Sequence, residues 1–214
     1  MGDVATIIGI GKSVIGDAME AGFEAAQKAL LQLNGASPVF ALIFASAGYD
    51  QNALFEGINK VIGDIPSSGC SGEGVITPDG ADEGSAIVGI MLFAGTQLKF
   101  RNYFACGLGE NSYGCGQSIV KEFNEFCATK NLSENNSGTL IVLADALTVN
   151  ITELFNAFDD HLQTKPLIVG GTAGDMMQLK KTYQYYNGKA YSDAITVVQI
   201  FGDYGIDWMV THGC

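Results

Sequence analysis

The chain has 214 residues and a formal net charge of −12, with 47% hydrophobic and 16% charged residues and four prolines. That length holds one large or two small domains with a substantial core, and the high hydrophobicity with low charge excludes a disordered chain. A lone arginine, Arg101, in so acidic a chain excludes a nucleic-acid partner and disfavours an anionic membrane surface.

The longest uncharged apolar run, residues 86–95, is about half of the roughly 20 residues that span a bilayer. No basic n-region with a following apolar segment marks a signal peptide. Five cysteines with no CxxC spacing read as reduced thiols, which points to a cytoplasmic location. Glycine, at 28 residues, predicts many tight turns and close backbone approaches.

In chain order, residues 6–10 read as a short β-branched strand and residues 11–16 as a turn. Asp17 caps a helix whose face carries Ala18, Gly22, Ala25, Ala26, Ala29 and Leu33, small residues that predict close packing on a sheet. Residues 39–45 are almost continuously apolar, as in a strand buried on both faces. A helix from near Asp50 carries Leu54, Ile58, Val61 and Ile62 and stops before Pro66. There follow a glycine-rich turn (Gly69-Cys70-Ser71-Gly72-Glu73-Gly74), a short extended piece at 75–77, a Pro78-Asp79-Gly80 turn and a strand at 86–93.

The order then restarts. A strand at 98–105 leads into a turn at 107–114, a helix marked by Ile119, Phe123, Phe126 and Cys127, and a buried strand at 140–144. Asn150 with Glu153 has the form of a capping box for a helix carrying Leu154, Phe155, Phe158 and Leu162. Pro166 and a second glycine-rich turn (Gly170-Gly171-Thr172-Ala173-Gly174-Asp175) follow, then a hairpin turned at Asn187-Gly188 and a strand at 195–201. Gly9 to Gly16 and Gly107 to Gly114 share the form G-x-G-x4-G, each between a strand and a helix.

The predicted fold is therefore α/β. Two strand-helix-strand-helix-hairpin units, 4–95 and 97–203, form one internally duplicated, pseudo-two-fold domain with helices packed on mixed β-sheets. Residues 204–214 read as the start of a C-terminal portion that is absent.

Neither G-x-G is a dinucleotide fingerprint, because the third glycine falls two residues late and no acid stands about 20 residues on. They read as structural β-α turns. Cys70 has the surroundings of an activated thiol, yet only His161 and His212 are present as bases and Gly171 replaces it in the second copy. A buried small residue is the plainer reading. His161 suits a helix C-terminus, and His212, near Cys214, is a lone candidate ligand. Glu73, Asp145 and Asp175 sit at strand ends or in turns, where acids meet a ligand's amine or serve the local backbone. Lys99 and Arg101 share a solvated strand face.

Three stretches resemble the N-terminal domain of FIST (F-box and intracellular signal transduction) sensory proteins. They are residues 39–46 (VFALIFAS), Gly69-Cys70-Ser71 with the following Gly-Glu, and residues 167–175 (LIVGGTAGD). At the first glycine-rich turn the family pattern has Ala-Gly-Glu where this chain has Gly72-Glu73-Gly74. The ending Thr211-His212-Gly213-Cys214 resembles the point where such a domain hands over to a FIST C-terminal partner. The resemblance implies a small-molecule-sensing domain that signals to that partner and to a downstream protein, with amino acids as suggested ligands, haem-based nitric oxide sensing in some relatives and no catalytic motif.

The expected ligand site combines the two turns with nearby polar residues: Ser46, Gly69, Cys70, Ser71, Glu73, Asp145, Gly170, Gly171, Thr172 and Asp175. Backbone N–H groups would hold a carboxylate and the acids an amine. No metal or cofactor is expected. Two alternatives stay open, a haem-based nitric oxide sensor and a thiol enzyme using Cys70.

Overall fold

A computed structural model describes residues 4–133, 136–202 and 204. The first half runs β1 (Ile7–Ser13), α1 (Ala18–Leu31), β2 (Pro38–Ser46), α2 (Gln51–Ile62), β3 (Ser67–Gly72), β4 (Gly74–Thr77), β5 (Gly80–Glu83) and β6 (Val88–Ala94). The second runs β7 (Leu98–Cys106), α3 (Leu108–Lys130), β8 (Thr139–Ala144), α4 (Ile151–His161), β9 (Leu167–Thr172), β10 (Gln184–Tyr186), β11 (Lys189–Tyr191) and β12 (Ala194–Gly202).

Local chemistry sets most of these boundaries. The Asp17 carboxylate accepts from Glu20 N–H at 2.9 Å, and Asp50 accepts from the N–H groups of Asn52 and Ala53, so each carboxylate satisfies donors that a helix start leaves orphaned. Asn150 accepts from Glu153 N–H at 3.2 Å, which is half of the expected capping box. The other half is supplied across the fold, where Asn150 N–H donates to Ser112 Oγ at 2.9 Å. Asn187 and Gly188, with φ of 46° and 74°, turn the β10–β11 hairpin as an Asn-Gly pair does in a type I′ turn.

The two G-x-G segments behave differently from a pair of matching turns. Strand β1 extends to Ser13, so Gly9 and Gly11 lie within it rather than at its end. In the second, Gly107 starts a short helical turn that breaks at Asn111 (φ −155°, ψ 78°). Asn111 Oδ1 then accepts from Gly114 N–H at 2.7 Å and restarts the helix.

The strands form two mixed sheets that share one order. The first is β1-β6-β2-β3-β10-β11 and the second is β7-β12-β8-β9. In each, the first and last long strands pair antiparallel, the last pairs antiparallel with the second, and the second pairs parallel with the third. The outer face of the first sheet is covered by α1 and α2, whose Ala25, Ala29, Leu54 and Ile58 pack on Ile43, Ile90 and Leu92. The outer face of the second is covered by α3 and α4 through Ile119, Phe123, Leu154 and Phe158. The inner faces meet through Phe40, Leu42, Phe93 and Val198, with Phe100 stacked on Phe40 at a ring separation of 4.7 Å. The result is four layers, helix, sheet, sheet, helix.

The halves part company at their hairpins. β10–β11 crosses over to extend the first sheet, with Gln184 opposite Cys70 and Tyr185 opposite Gly69. β4–β5 joins neither large sheet and forms a ribbon of its own. Strand β3 is therefore paired on both edges, whereas β9 has no strand on its outer edge among the described residues.

Candidate functional site

The two glycine-rich segments are strands rather than turns, through Gly72 and Thr172. Gly69 lies opposite Ile43 and Gly170 opposite Val142, each in a parallel pair. A Cβ at Gly69 would stand 1.7 Å from the Ile43 carbonyl oxygen, and one at Gly170 would stand 1.9 Å from that of Val142. The glycines allow a close strand approach that any side chain would block.

These strands end against each other, which brings several of the expected residues together. Ser71 Oγ donates to the Gly174 carbonyl at 2.7 Å and accepts from Tyr183 N–H at 2.9 Å, while Gly174 N–H donates to the Ser71 carbonyl at 3.0 Å. Glu73 Oε1 accepts from Met176 N–H at 3.0 Å. Beneath them, Cys70 packs with Leu143 and Ala173 between the sheets. Ser46 sits at the end of β2, fully buried, and its hydroxyl bonds the carbonyls of Gly84 and Ile87.

Asp145 is 2% exposed at the end of β8, with Oδ1 accepting from Leu147 N–H at 2.9 Å and Oδ2 from Asp193 N–H at 2.8 Å. Its carboxylate thus staples the β8–α4 loop to the entry of β12. Replacing it by alanine strands two N–H groups in a buried place, so Asp145→Ala should cost about 2 kcal/mol or more in urea unfolding. Asp145→Asn, which keeps one acceptor oxygen, should cost less.

Asp175 is also turned inward and organises the loop after β9. Its carboxylate accepts from Lys180 N–H at 2.6 Å, from Lys181 N–H at 3.0 Å and from Leu179 N–H at 3.0 Å. The Lys180 bond above all, then those from Lys181, Leu179 and Gln178, hold its pKa below the ordinary value. A carboxyl depressed in the folded state lends stability that is present above the unfolded value of ~3.9 and lost as pH falls through the folded one. Asp175→Asn should therefore lie below the parent in urea midpoint above about pH 5, with the gap closing under about pH 3.

Donor capacity remains at β9. Gly170, Gly171 and Thr172 are exposed, and a Cβ at Gly171 would meet nothing within 4 Å. Glu73, exposed on the rim, keeps a second carboxylate oxygen beyond its bond to Met176. An anion nest built from both segments, as the sequence suggested, is reduced to one, because β2 and β10 flank β3 and Ser71 N–H donates to the Tyr183 carbonyl at 2.8 Å. The sequence places Gly174 in the second glycine-rich turn but does not announce that it or Tyr183 bonds to Ser71. Their partner Ser71 is over 100 residues away in the chain, and no local pattern announces such a contact.

Residues 39–214 match the family model of the FIST N domain. The chain belongs to the FIST N family. FIST N domains are sensory domains associated with signal transduction, and the matched span here begins at Val39 in β2. No curated protein matches the chain. Among the described residues of this FIST N domain, no helix is long and apolar enough to cross a membrane, and no three His, Cys, Asp or Glu side chains gather as metal ligands.

The haem reading requires an axial ligand beside an apolar slot. His161, at the end of α4, has its Nε2 2.9 Å from Tyr113 Oη and 3.2 Å from Gln117 Nε2. The groove beside it is lined by Gln117, Ser118, Lys121, Asn124 and Glu125, with Gly114 and Ala128. His212 and Cys214 lie outside the described residues. Lys99 and Arg101 are exposed on β7, with Arg101 over the Phe126 ring at 5.4 Å.

Proposed function

We propose that this FIST N domain is the ligand-sensing part of a signal-transduction protein and takes an amino acid or similar small carboxylate where β3 and β9 end. The observation that carries this reading is the junction itself: the Ser71–Gly174 bonds draw the two strand ends together while the backbone of Gly170, Gly171 and Thr172 stays exposed. Strand ends of parallel pairs are where open α/β sheets bind ligands. Exposed N–H groups of β9 would hold the carboxylate and Glu73 the ammonium, with Ser46, Cys70, Asp145 and Asp175 shaping the place from within.

A ligand at this junction contacts both sheets, so it favours one relative arrangement of the halves in proportion to its differential affinity for that arrangement. We infer that a FIST C-terminal domain and a downstream signalling protein, in the cytoplasm, read that change. A melting-temperature screen of amino acids and small carboxylates tests the binding step. At 100-fold over Kd a true ligand adds about 2.7 kcal/mol, roughly 5–10 °C for a chain of this size. Glu73→Gln keeps an acceptor for Met176 and should lose the response to amino acids. Gly171→Val fills the open space beside β9 and should weaken every ligand. Silence across the screen, or an undiminished response in both variants, would overturn the proposal.

A further inference from the structure

The β4–β5 ribbon folds back over the inner face of the first sheet, beyond the part that the second sheet covers. It is held there by two adjacent contacts. Val75 packs on Gly89, where a Cβ would lie 2.4 Å from Val75 Cγ1, and Lys12 Nζ forms an ion pair with Asp82. The four residues form a square, since Val75 is registered with Asp82 in the ribbon and Lys12 with Gly89 in the sheet.

Between ribbon and sheet lies a cavity of about 350 Å³, at the small end of the ~300–1,000 Å³ usual for ligand sites. Its floor is Ile10, Leu42, Phe44 and Met91 and its roof Ile76 and Pro78. Gly89 also lines it, which puts the ammonium-bearing Lys12, directly across the ladder from Gly89, at its margin. The structure thus pairs an apolar slot with one cation whose partner, Asp82, sits on the ribbon that roofs it. Ile76 is 86% exposed, so the roof has no second layer holding it down.

We propose that this cavity binds an apolar carboxylate, a medium-chain alkyl or aryl acid, whose tail lies on Ile10, Leu42, Phe44 and Met91 and whose carboxylate takes Lys12 from Asp82. Exchange of one carboxylate for another at Lys12 conserves the charge pairing at the sheet but unpins the ribbon. Occupancy is thereby coupled to the position of β4–β5, which continues directly from β3 and Glu73. The site is separate from the exposed backbone of β9. In a chain of net charge −12, diffuse attraction of anions is absent, so saturable uptake of an acid would mark a specific cation.

The test uses octanoate and its uncharged isostere octanamide, titrated calorimetrically into the full chain, with amide chemical shifts recorded on the ¹⁵N-labelled protein. Octanoate should bind one per chain and octanamide at least about tenfold more weakly, the equivalent of one charge-assisted contact. Lys12→Met should abolish that discrimination. Asp82→Asn, which removes the competitor, should tighten octanoate by about twofold to fivefold, the span expected of a partly exposed ion pair. Met91→Trp should fill the slot and weaken both. The Lys12 and Asp82 variants alter partly exposed side chains and remain informative if Met91→Trp fails to fold.

Shifts should cluster at Val75, Ile76, Thr77 and Gly89 and spare Gly170 to Thr172, which separates this result from any amino-acid response at β9. Equal binding of octanoate and octanamide, indifference to Lys12→Met, shifts confined to β9, or no binding at millimolar octanoate would each overturn the proposal.

Discussion

Gly11→Val should lower the stability of this domain by about 3 kcal/mol or more, roughly 6–12 °C in melting temperature at this chain length. A Cβ at Gly11 would stand 1.9 Å from the Ala25 carbonyl oxygen and 2.6 Å from Ala29 N, and one at Gly9 would stand 2.0 Å from the Ala29 carbonyl oxygen. These neighbours are backbone atoms of α1, so no rotamer change relieves the overlap. The helix as a whole would have to lift off β1, opening the contact made by Ala21, Ala25, Ala26 and Ala29, all fully buried. Gly16→Ala is the matched control, because a Cβ there meets nothing within 4 Å. Urea unfolding measures both, with an unchanged m-value showing that the denatured state is not the cause. A loss under about 1 kcal/mol for Gly11→Val would sink this account of why β1 and α1 are so rich in small residues.

The same pair of elements shows what a reader of the sequence can and cannot see. The alanine stripe of α1 announces a close approach, and the structure delivers it. Of the glycines that receive it, Gly9 reads as strand but Gly11 looks like the start of a turn, because glycine weakens the strand pattern and its use as a seat for a helix depends on where the helix lies. Gly69 and Gly170 mislead in the same way, since the carbonyls of Ile43 and Val142 that exclude a side chain belong to other strands. Caps at Asp17, Asp50 and Asn150 are legible because donor and acceptor lie within a few residues. The fate of the hairpins is not. β4–β5 and β10–β11 read alike along the chain, yet one roofs a cavity and the other closes the edge of β3, a choice made by surfaces remote in sequence. The exposed edge of β9, where the proposed ligand would sit, follows from that choice.

Cys70 should resist alkylation at pH 8 on the order of 10³-fold more than an unstructured cysteine does. Its thiol lies between the sheets against Leu143 and Ala173, and burial pushes its pKa up to about 12. A free thiol of pKa ~8.5 is about one-quarter thiolate at pH 8, whereas one near 12 is ionised to about one part in 10⁴, and only the thiolate attacks. Burial raises Cys115 and Cys127 as well, while Cys106 is exposed at the end of β7. With iodoacetamide and site-resolved mass spectrometry, of the four described cysteines Cys106 should therefore label first and Cys70 last, and unfolding in urea should bring the two rates together. Equal native rates would instead restore Cys70 as a candidate nucleophile and reopen the thiol-enzyme reading. The expected order assigns Cys70 to packing and bears on the junction as a whole. At the position where β3 carries Cys70 against Leu143, β9 carries Gly171 facing open space, so the two glycine-bearing strands divide their roles. The first is sealed by β2, β10 and the second sheet, and the second keeps its backbone exposed at the sheet edge.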